Sequence, residues 1–299
     1  MKYLFERLLF RLKKGEYLTV LKLIIKFFTS SGKINLDILD LDHKSLEKLF
    51  FIFGTDKSNF DGKKTFYKIY KEKENREKYP NYLSWIKRKN PYDFEYEMGL
   101  NYAPVYQKHL ENLKDKSLKI LELGVAGGHS LAAWYKFFPN SKIFGVDIKS
   151  EKFLMYEGKR LKYFKLDCLN QSQIQNFINE NGKFDIIVDD SMHEHPFFET
   201  NLLNFFKALN NKGYYFLEDF RLADEQLQSI KDYNKKNNKK LMLNDTTMSD
   251  IFKKISKKEY FKNKILDKNF QTYLFENIET VEVHYPDHPS AGICVLKKI

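Results

Sequence analysis

The stretch K-I-L-E-L-G-V-A-G-G-H-S, residues 119–130, is an apolar run that breaks into a glycine-rich turn. The run predicts a buried strand, and the glycines allow a tight turn in which the backbone can approach a ligand. A dinucleotide fingerprint would read G-x-G-x-x-G, but Ala126 and His129 stand where its second and third glycines belong. The turn therefore predicts a site for a nucleotide-like ligand other than a pyrophosphate.

From Lys119 onward, strand-like and helix-like segments alternate. The strand-like runs are 118–123, 142–147, 162–167, 184–190 and 214–219, and the helix-like segments are about 129–138, 150–160, 171–180, 196–210 and 222–236. This alternation predicts an α/β fold with a parallel sheet and right-handed crossovers. Two last runs, 280–285 and 292–298, flank a turn-rich segment and predict a terminal antiparallel pair.

Residues 1–95 differ from the rest of the chain, because their pattern is mostly helical. Leu4, Leu8, Leu9 and Leu12 fall on one helical face, which predicts docking on a core or on a second subunit. Attachment to a membrane surface is the alternative. We expect a helical N-terminal region over 1–95, serving homo-oligomerisation or the substrate side, and a second domain over 96–299.

The charge and the cysteine content limit which binding partners and which cellular compartment we expect. The net charge of +11 is spread through lysine-rich helical segments, which favours solvated helix faces over an anionic partner such as nucleic acid or a phosphate-bearing substrate. Cys168 and Cys294 give no disulfide framework, as in a reducing cytoplasm. We therefore expect a cytoplasmic protein without a membrane span, a secretory signal or an RNA-binding module.

Acidic residues stand at the end of every predicted parallel strand. They are Glu122, Asp147, Asp167, the pair Asp189 and Asp190, and the pair Glu218 and Asp219. Ligands of open α/β sheets bind outside the carboxyl ends of the strands, so this set predicts a binding site there. One or two of these acids could instead cap the helices that follow.

Three of these acids indicate what kind of cofactor binds. Glu122 lies two residues before Gly124, where an acid suits a positively charged cofactor. Asp147 lies nineteen residues after Gly128, at the usual place for binding a ribose diol. Asp167, at the next strand end, can accept a hydrogen bond from an adenine amino group.

The segments I-L-E-L-G-V-A-G-G, I-F-G-V-D-I and L-D resemble the first three motifs of class I S-adenosylmethionine-dependent methyltransferases. The resemblance covers about residues 100–299 and implies a Rossmann-like sheet with a terminal antiparallel pair. It also implies S-adenosylmethionine as the cofactor. The cofactor-binding residues that we predict are Glu122, Gly124, Ala126, Gly128, Asp147, Asp167 and Asp189.

The segment D-I-I-V-D-D-S-M-H-E-H, residues 185–195, places Asp190 and His193 just past the fourth strand. Glu218 and Asp219 follow the fifth strand, and neighbouring strands lie about 4.8 Å apart, so the groups can converge. Three carboxylates without cysteine suit Mg²⁺, and His193 could accept a proton. His193 could instead brace the next helix, and His195 could compete for the role of base.

The pattern D-D-x-x-H followed by E-D resembles the metal-dependent sugar O-methyltransferases that act on macrolide sugars and bacterial surface carbohydrates. This resemblance implies that Asp190, Glu218 and Asp219 bind Mg²⁺ and that His193 is the general base. The segments F-G-T-D-K-S-N (53–59) and N-Y-A-P-V-Y-Q-K-H-L (101–110) also resemble segments of those enzymes, with Asn101 in place of a histidine.

The function that we predict is Mg²⁺-dependent O-methylation of a sugar hydroxyl. The expected acceptor is a small carbohydrate, either a nucleotide-diphosphate sugar or a precursor of a surface polysaccharide. Three alternatives remain open at this point: methylation of a phosphoryl or amino group, methylation of RNA, and a non-catalytic scaffold. The scaffold is disfavoured because it would not need the set of strand-end acids.

Overall fold

A computed structural model describes residues 33–39, 41, 45–53, 55–58, 99–237, 246–286, 288 and 291–299. The apolar helical faces predicted within residues 1–32 lie outside these residues.

The described residues form strands and helices that we number in chain order. The strands are β1 (Ile34–Asn35), β2 (Lys119–Leu123), β3 (Lys142–Asp147), β4 (Tyr156–Glu157), β5 (Leu161–Lys165), β6 (Phe184–Asp189), β7 (Leu209–Glu218), β8 (Ile278–His284) and β9 (Ile293–Lys298). The helices are α1 (Leu46–Phe53), α2 (Ala103–Leu110), α3 (His129–Phe137), α4 (Gln171–Asn181), α5 (His195–Phe205), α6 (Phe220–Asn237), α7 (Met248–Ser256) and α8 (Lys268–Asn277).

Seven strands form one sheet in the order β5-β3-β2-β6-β7-β9-β8. The strands from β5 to β7 pair in parallel, whereas β9 is antiparallel to both β7 and β8. The predicted α/β sheet with a terminal antiparallel pair is therefore confirmed. The strand order reverses direction next to β2, so the glycine turn after β2 lies at the switch point where such sheets bind ligands.

Helices cover both faces of the sheet. One buried cluster lies on the side of α4, α5, α7 and α8, and the other lies on the side of α1, α2 and α3. A parallel sheet needs this double cover because its strands are apolar on both faces. None of the described helices is both long and apolar enough to cross a membrane.

The helix predicted at 150–160 is wrong. The segment contains a short 3₁₀ turn, Glu151–Phe153, and then β4, whose Tyr156 pairs with Ile34 of β1. Leu154 and Tyr156 are buried, whereas Met155 between them is only partly buried. This alternation has the period of a strand, so packing against β1 outweighs the local helical pattern.

The described part of the N-terminal region packs on the core of the sheet domain. Leu46, Leu49 and Phe50 of α1 are completely buried, and the ring of Phe50 meets the ring of Trp134 edge to face at 5.0 Å. Residues 59–98 lie outside the described residues. The division of the chain at residue 95 therefore stays a prediction, while α1 itself belongs to the packed layer beside α3.

Candidate active site

The glycine turn after β2 lies against the end of β6. Gly124 has a φ of +81°, and a Cβ atom there would lie 2.3 Å from the carbonyl oxygen of Asp190. Ala126 and Gly128 also have positive φ values, +46° and +80°. Left-handed backbone of this kind favours glycine, so the sequence folds here into a turn whose backbone is open to a ligand. The turn thus brings the predicted cofactor site next to the predicted metal site.

Asp147, at the end of β3, is tied to the same turn. Its Oδ2 atom accepts a hydrogen bond from the backbone N–H of Ala126 at 2.8 Å, and its Oδ1 atom accepts one from Lys149 N–H at 2.9 Å. Asp167, past the end of β5, accepts a bond from Leu169 N–H at 2.9 Å. Both carboxylates are only partly buried at the edge where a nucleoside would lie.

Glu122 is completely buried beneath the turn. Its Oε2 atom accepts bonds from the Ser130 hydroxyl at 2.8 Å and from the Trp134 indole at 3.2 Å. Burial raises the pKa of Glu122 to about 7. Its Oε1 atom has no hydrogen-bond partner in the described part of the chain, and the ammonium group of Lys57 lies 3.7 Å from it.

Asp189 is also completely buried, and its carboxylate contacts three side chains. It accepts hydrogen bonds from the Ser191 hydroxyl at 2.7 Å, the Asn201 amide at 3.0 Å and the Tyr215 hydroxyl at 2.9 Å. Burial raises the pKa of Asp189 to about 6. These contacts brace the end of β6, and the assignment of Asp189 to the cofactor stays a prediction.

Asp190, His193 and Asp219 converge beside the turn. The Nε2 atom of His193 lies 3.9 Å from Asp190 Oδ1 and 3.5 Å from Asp219 Oδ2. Each of the three residues offers one potential ligand atom, and these three atoms all lie within 4.8 Å of one another. Asp219 has a φ of +56°, so the chain has left the extended conformation of β7 and turns this carboxylate towards His193. Burial raises the pKa of Asp219 to about 6.

Glu218, the third predicted metal ligand, faces a different set of groups. It is completely buried, and its two oxygens accept hydrogen bonds from the Lys57 ammonium and the Tyr106 hydroxyl. Burial raises the pKa of Glu218 well above its ordinary value. The structure therefore brings Asp190, Asp219 and His193 together, while Glu218 lies behind them and would have to exchange a partner to bind a metal.

Lys57 lies in the middle of the buried acids. Its side chain is 1% exposed, and its Nζ atom lies 2.5 Å from Asp190 Oδ2 and 3.7 Å from Glu122 Oε1 in addition to contacting Glu218. Burial opposes the charge of the ammonium group, but the surrounding carboxylates raise its pKa well above the ordinary value. Lys57 thus links Glu122, of the predicted cofactor site, to the acids of the predicted metal site.

Tyr102, which directly precedes α2, and Tyr106 within α2 complete this network. The Tyr102 hydroxyl donates to Asp219 Oδ1 at 2.5 Å, and Tyr106 donates to Glu218. The backbone N–H groups of Tyr102 and Ala103 donate to the carbonyl oxygen of Lys57 at 2.9 and 3.1 Å. Hydrogen bonds therefore hold residues 55–58 and 101–110 together. Our residue assignments missed Lys57, Tyr102 and Tyr106, although the resemblance of these segments to the sugar O-methyltransferases was the available signal.

His195, the alternative base, contacts Asp224 and not the carboxylates beside the glycine turn. Its Nε2 atom lies 3.1 Å from Asp224 Oδ1, and its side chain is 5% exposed. Asp224 in turn accepts hydrogen bonds from the backbone N–H groups of Met248 and Ser249, at the start of α7. His195 therefore holds α5, α6 and α7 together, whereas His193 faces the carboxylates.

The geometry of sheet and site is that of a class I methyltransferase. A family model described as a methyltransferase domain matches residues 114–274, and the chain belongs to this family. The recognition of a methyltransferase from sequence is thereby confirmed.

Relatives with described activities match part of the chain. The L-olivosyl-oleandolide 3-O-methyltransferase of Streptomyces antibioticus is 31% identical over 121 residues, which are 38% of this chain and 31% of that protein. The mycinamicin VI 2''-O-methyltransferase of Micromonospora griseorubida is 27% identical over 129 residues, or 41% and 32% of the two chains. The chain thus aligns with about a third of the length of these relatives.

A solved structure shares the fold over more of the chain. It is described as the MycE methyltransferase from the mycinamycin biosynthetic pathway in complex with Mg, SAH and mycinamycin VI. It aligns with 86% of this chain and 55% of its own, with a TM-score of 0.56 and 18% sequence identity. At this identity the likeness concerns the fold.

Proposed function

We propose that this protein is an S-adenosylmethionine-dependent O-methyltransferase that methylates a sugar hydroxyl with the help of Mg²⁺. The observation that carries the proposal is the convergence of Asp190, His193 and Asp219 beside the glycine turn at the switch point of the sheet. A methyl donor bound at the turn would lie next to these three side chains. Membership of the methyltransferase family supports the choice of donor.

S-adenosylmethionine fits the residues at the turn and would supply the methyl group. The buried Oε1 atom of Glu122 has no hydrogen-bond partner in the described part of the chain, and its position 3.7 Å from the Lys57 ammonium indicates that it suits a positively charged group. Asp147, already fixed by two backbone donors, keeps lone pairs for the two hydroxyls of a ribose. Asp167 lies at the neighbouring strand end and suits an adenine amino group. The close approach of Gly124 to Asp190 leaves no room for a side chain at position 124.

A divalent cation fits the two aspartates. Asp190 and Asp219 offer carboxylate oxygens within 4.8 Å of each other, as hard oxygen ligands for Mg²⁺. Mg²⁺ held there would bind vicinal hydroxyls and lower their pKa. Lys57 and Tyr102 already hold the remaining carboxylate oxygens of these residues in place. We assign Asp190 and Asp219 as ligands, and Glu218 as a third ligand once it releases Lys57.

His193 is the base in this proposal. Its Nε2 atom lies between the two aspartates, and its Nδ1 atom is buried without a hydrogen-bond partner in the described part of the chain. A sugar hydroxyl bound between Asp190 and Asp219 would meet Nε2 within hydrogen-bond reach. Removal of the hydroxyl proton by Nε2 makes the oxygen a nucleophile for the methyl carbon.

The proposal extends to the identity of the carbohydrate that accepts the methyl group. Two relatives are described as O-methyltransferases of L-olivosyl-oleandolide and of mycinamicin VI, which supports a glycoside as the acceptor. A nucleotide-diphosphate sugar is the second carbohydrate to consider, because the net charge of +11 suits a diphosphate. A cytoplasmic location, a homo-oligomer formed through residues 1–95 and the division at residue 95 stay predictions.

A panel of acceptors tests the function. The purified chain is incubated with S-adenosylmethionine, Mg²⁺ and either rhamnosyl glycosides or nucleotide-diphosphate sugars, and release of S-adenosylhomocysteine is followed with mass spectrometry of the product. Transfer to a sugar hydroxyl supports the proposal. Binding of S-adenosylhomocysteine together with transfer only to a phosphoryl group, an amine or RNA would contradict it.

A further inference from the structure

A second cluster of potential metal ligands lies at the edge of the sheet, apart from the candidate active site. It consists of His109 near the end of α2 and of Glu282 and His284 on the edge strand β8. Glu282 and His284 are two residues apart on a strand, so their side chains point to the same face, towards α2. The Nε2 atom of His109 lies 3.6 Å from Glu282 Oε2, and that of His284 lies 3.4 Å from the same oxygen.

The two imidazoles are incompletely satisfied. The Nε2 atoms of His109 and His284 are both buried and have no hydrogen-bond partner among the described residues. The side chain of His109 is 9% exposed. A buried polar atom without a partner is uncommon in folded proteins and asks for an explanation such as an ion. Here two such atoms face one carboxylate oxygen.

We propose that His109, Glu282 and His284 form a binding site for a divalent transition-metal ion, with Zn²⁺ as the favoured ion. Zinc binds imidazole nitrogen and carboxylate oxygen at about 2.0–2.2 Å, so two ligand atoms of a tetrahedral site are about 3.3–3.6 Å apart. The distances of 3.4 and 3.6 Å agree with this spacing. Two imidazoles and one carboxylate favour zinc over Mg²⁺, and a water completes the tetrahedron.

The protonation state supports the geometry. Burial lowers the pKa of His109 and of His284 below the ordinary value of 6.5, even though Glu282 acts in the opposite direction. Both rings are therefore mostly neutral at neutral pH, which is the form that binds a metal.

Lys108 competes with the ion. Its Nζ atom lies 2.5 Å from the same Glu282 oxygen, but its side chain is 58% exposed and can turn into solvent. An exposed ion pair of this kind contributes little, so the metal can displace it. Lys108→Met is expected to tighten Zn²⁺ binding about two- to fivefold. This direction is specific to the proposal, because a structural role for the cluster gives no reason for tighter binding.

The site would tie α2 to the edge of the sheet. Tyr106 and His109 of α2 and Tyr102, the N-cap residue just before it, lie on one face at spacings of three and four residues. The two tyrosines contact Asp219 and Glu218, so a metal at His109 would fix the helix that holds these acids. The inference does not depend on the proposed methyl transfer, and it gives the ion a structural role.

The test is a titration of the full chain with Zn²⁺ after removal of bound metal with a chelator. Matched measurements use wild type, His284→Ala and Glu282→Gln, with Co²⁺ absorption as a report on tetrahedral geometry. Because Asp190, His193 and Asp219 could also take such an ion, His193→Ala serves as the control. We expect one ion with the Co²⁺ absorption of a tetrahedral site in wild type and in His193→Ala, and a loss of at least tenfold in the affinity for that ion in the other two variants.

His284 and Glu282 are 28% and 32% exposed, so their replacement should leave the fold intact, and circular dichroism checks this. Zn²⁺ should also raise the thermal unfolding temperature of wild type but not of His284→Ala. Absence of saturable binding, or binding that is lost in His193→Ala and kept in His284→Ala, would overturn the proposal.

Discussion

At the scale of single residues, Lys57 is the group on which the buried acids depend. Lys57→Met would leave Asp190, Glu218 and Glu122 without their cation, and removing one partner of a buried ion pair costs about 3–5 kcal/mol. We expect a loss of about that size in the free energy of unfolding, measured by urea denaturation. Lys212→Met is the matched control: Lys212 is 73% exposed, so its loss should change stability by less than about 0.5 kcal/mol. Equal stability of both variants would refute the role of Lys57.

His193 is the residue whose loss should affect turnover alone. His193→Ala removes the base while leaving the glycine turn intact, so the rate of methyl transfer should fall roughly 10²- to 10⁴-fold. Calorimetric affinity for S-adenosylhomocysteine should stay the same. A variant with the rate of wild type would return His193 to a structural role beside α5.

The sequence predicts some of these residues and misses others for a physical reason. Acids at strand ends can be found from the sequence, because the sheet brings the carboxyl ends of its strands to one edge. Lys57 is 133 residues from Asp190 and 161 from Glu218, and no local pattern reports a contact over that distance. Tyr102 and Tyr106 likewise meet the acids through hydrogen bonds between residues more than a hundred positions apart, which no local pattern reports.

At the scale of elements, the turn after β2 depends on glycine at one position more than at others. Gly124 and Gly182 both have positive φ, but a Cβ atom at Gly124 would meet backbone at 2.3 Å, whereas one at Gly182 would meet only Lys119 Nζ at 3.5 Å. Gly124→Ala should therefore abolish binding of S-adenosylhomocysteine by shifting the end of β6. Gly182→Ala should cost about 1 kcal/mol of stability and leave binding unchanged. If both substitutions changed the affinity for S-adenosylhomocysteine equally, the close approach of Gly124 to the end of β6 would be contradicted.

The contact of His195 with Asp224 predicts a pH dependence of stability. Burial lowers the pKa of His195, but hydrogen bonds to Asp224 and Glu199 outweigh it and raise the pKa above 6.5. Because the folded state holds the proton more tightly than the unfolded state, this stabilisation is complete below pH 6.5 and is lost as pH rises through the folded-state pKa. The free energy of unfolding should therefore fall between about pH 6 and 8.

The variant His195→Gln isolates this contribution. The decrease in stability between about pH 6 and 8 should be smaller in the variant than in wild type, as measured by urea unfolding at each pH. Asp224→Asn should reduce the decrease in the same way. An unchanged decrease in both variants would assign the effect to other groups.

Comparison of two elements shows where the local sequence pattern is sufficient to predict secondary structure. The strand at 142–147 has the predicted bounds, because a buried parallel strand is a continuous apolar run with clear ends. The segment 150–160 is the exception, since β4 exists only because β1, more than a hundred residues earlier, pairs with it. A two-residue strand of this kind is decided by its partner and leaves little trace in the sequence.

At the scale of the whole molecule, the N-terminal region has two parts with different expected roles. Deletion of residues 1–32, which carry the predicted apolar helical faces, should lower the oligomeric mass while methyl transfer remains. Deletion of residues 1–58 also removes Lys57 and the buried residues Leu46 and Phe50, so the fold should lose most of its stability. Light scattering and thermal unfolding distinguish the two effects. Identical mass with and without residues 1–32 would contradict the predicted association.

The most direct measurement is the rate of methyl transfer to a sugar acceptor at saturating S-adenosylmethionine, with Mg²⁺ varied from zero in the presence of EDTA. The account predicts that EDTA abolishes turnover, that Mg²⁺ restores it, and that Asp219→Asn needs far more Mg²⁺ although its affinity for S-adenosylhomocysteine is unchanged. Full activity in EDTA, with the same Mg²⁺ response in Asp219→Asn, would contradict the metal-assisted mechanism.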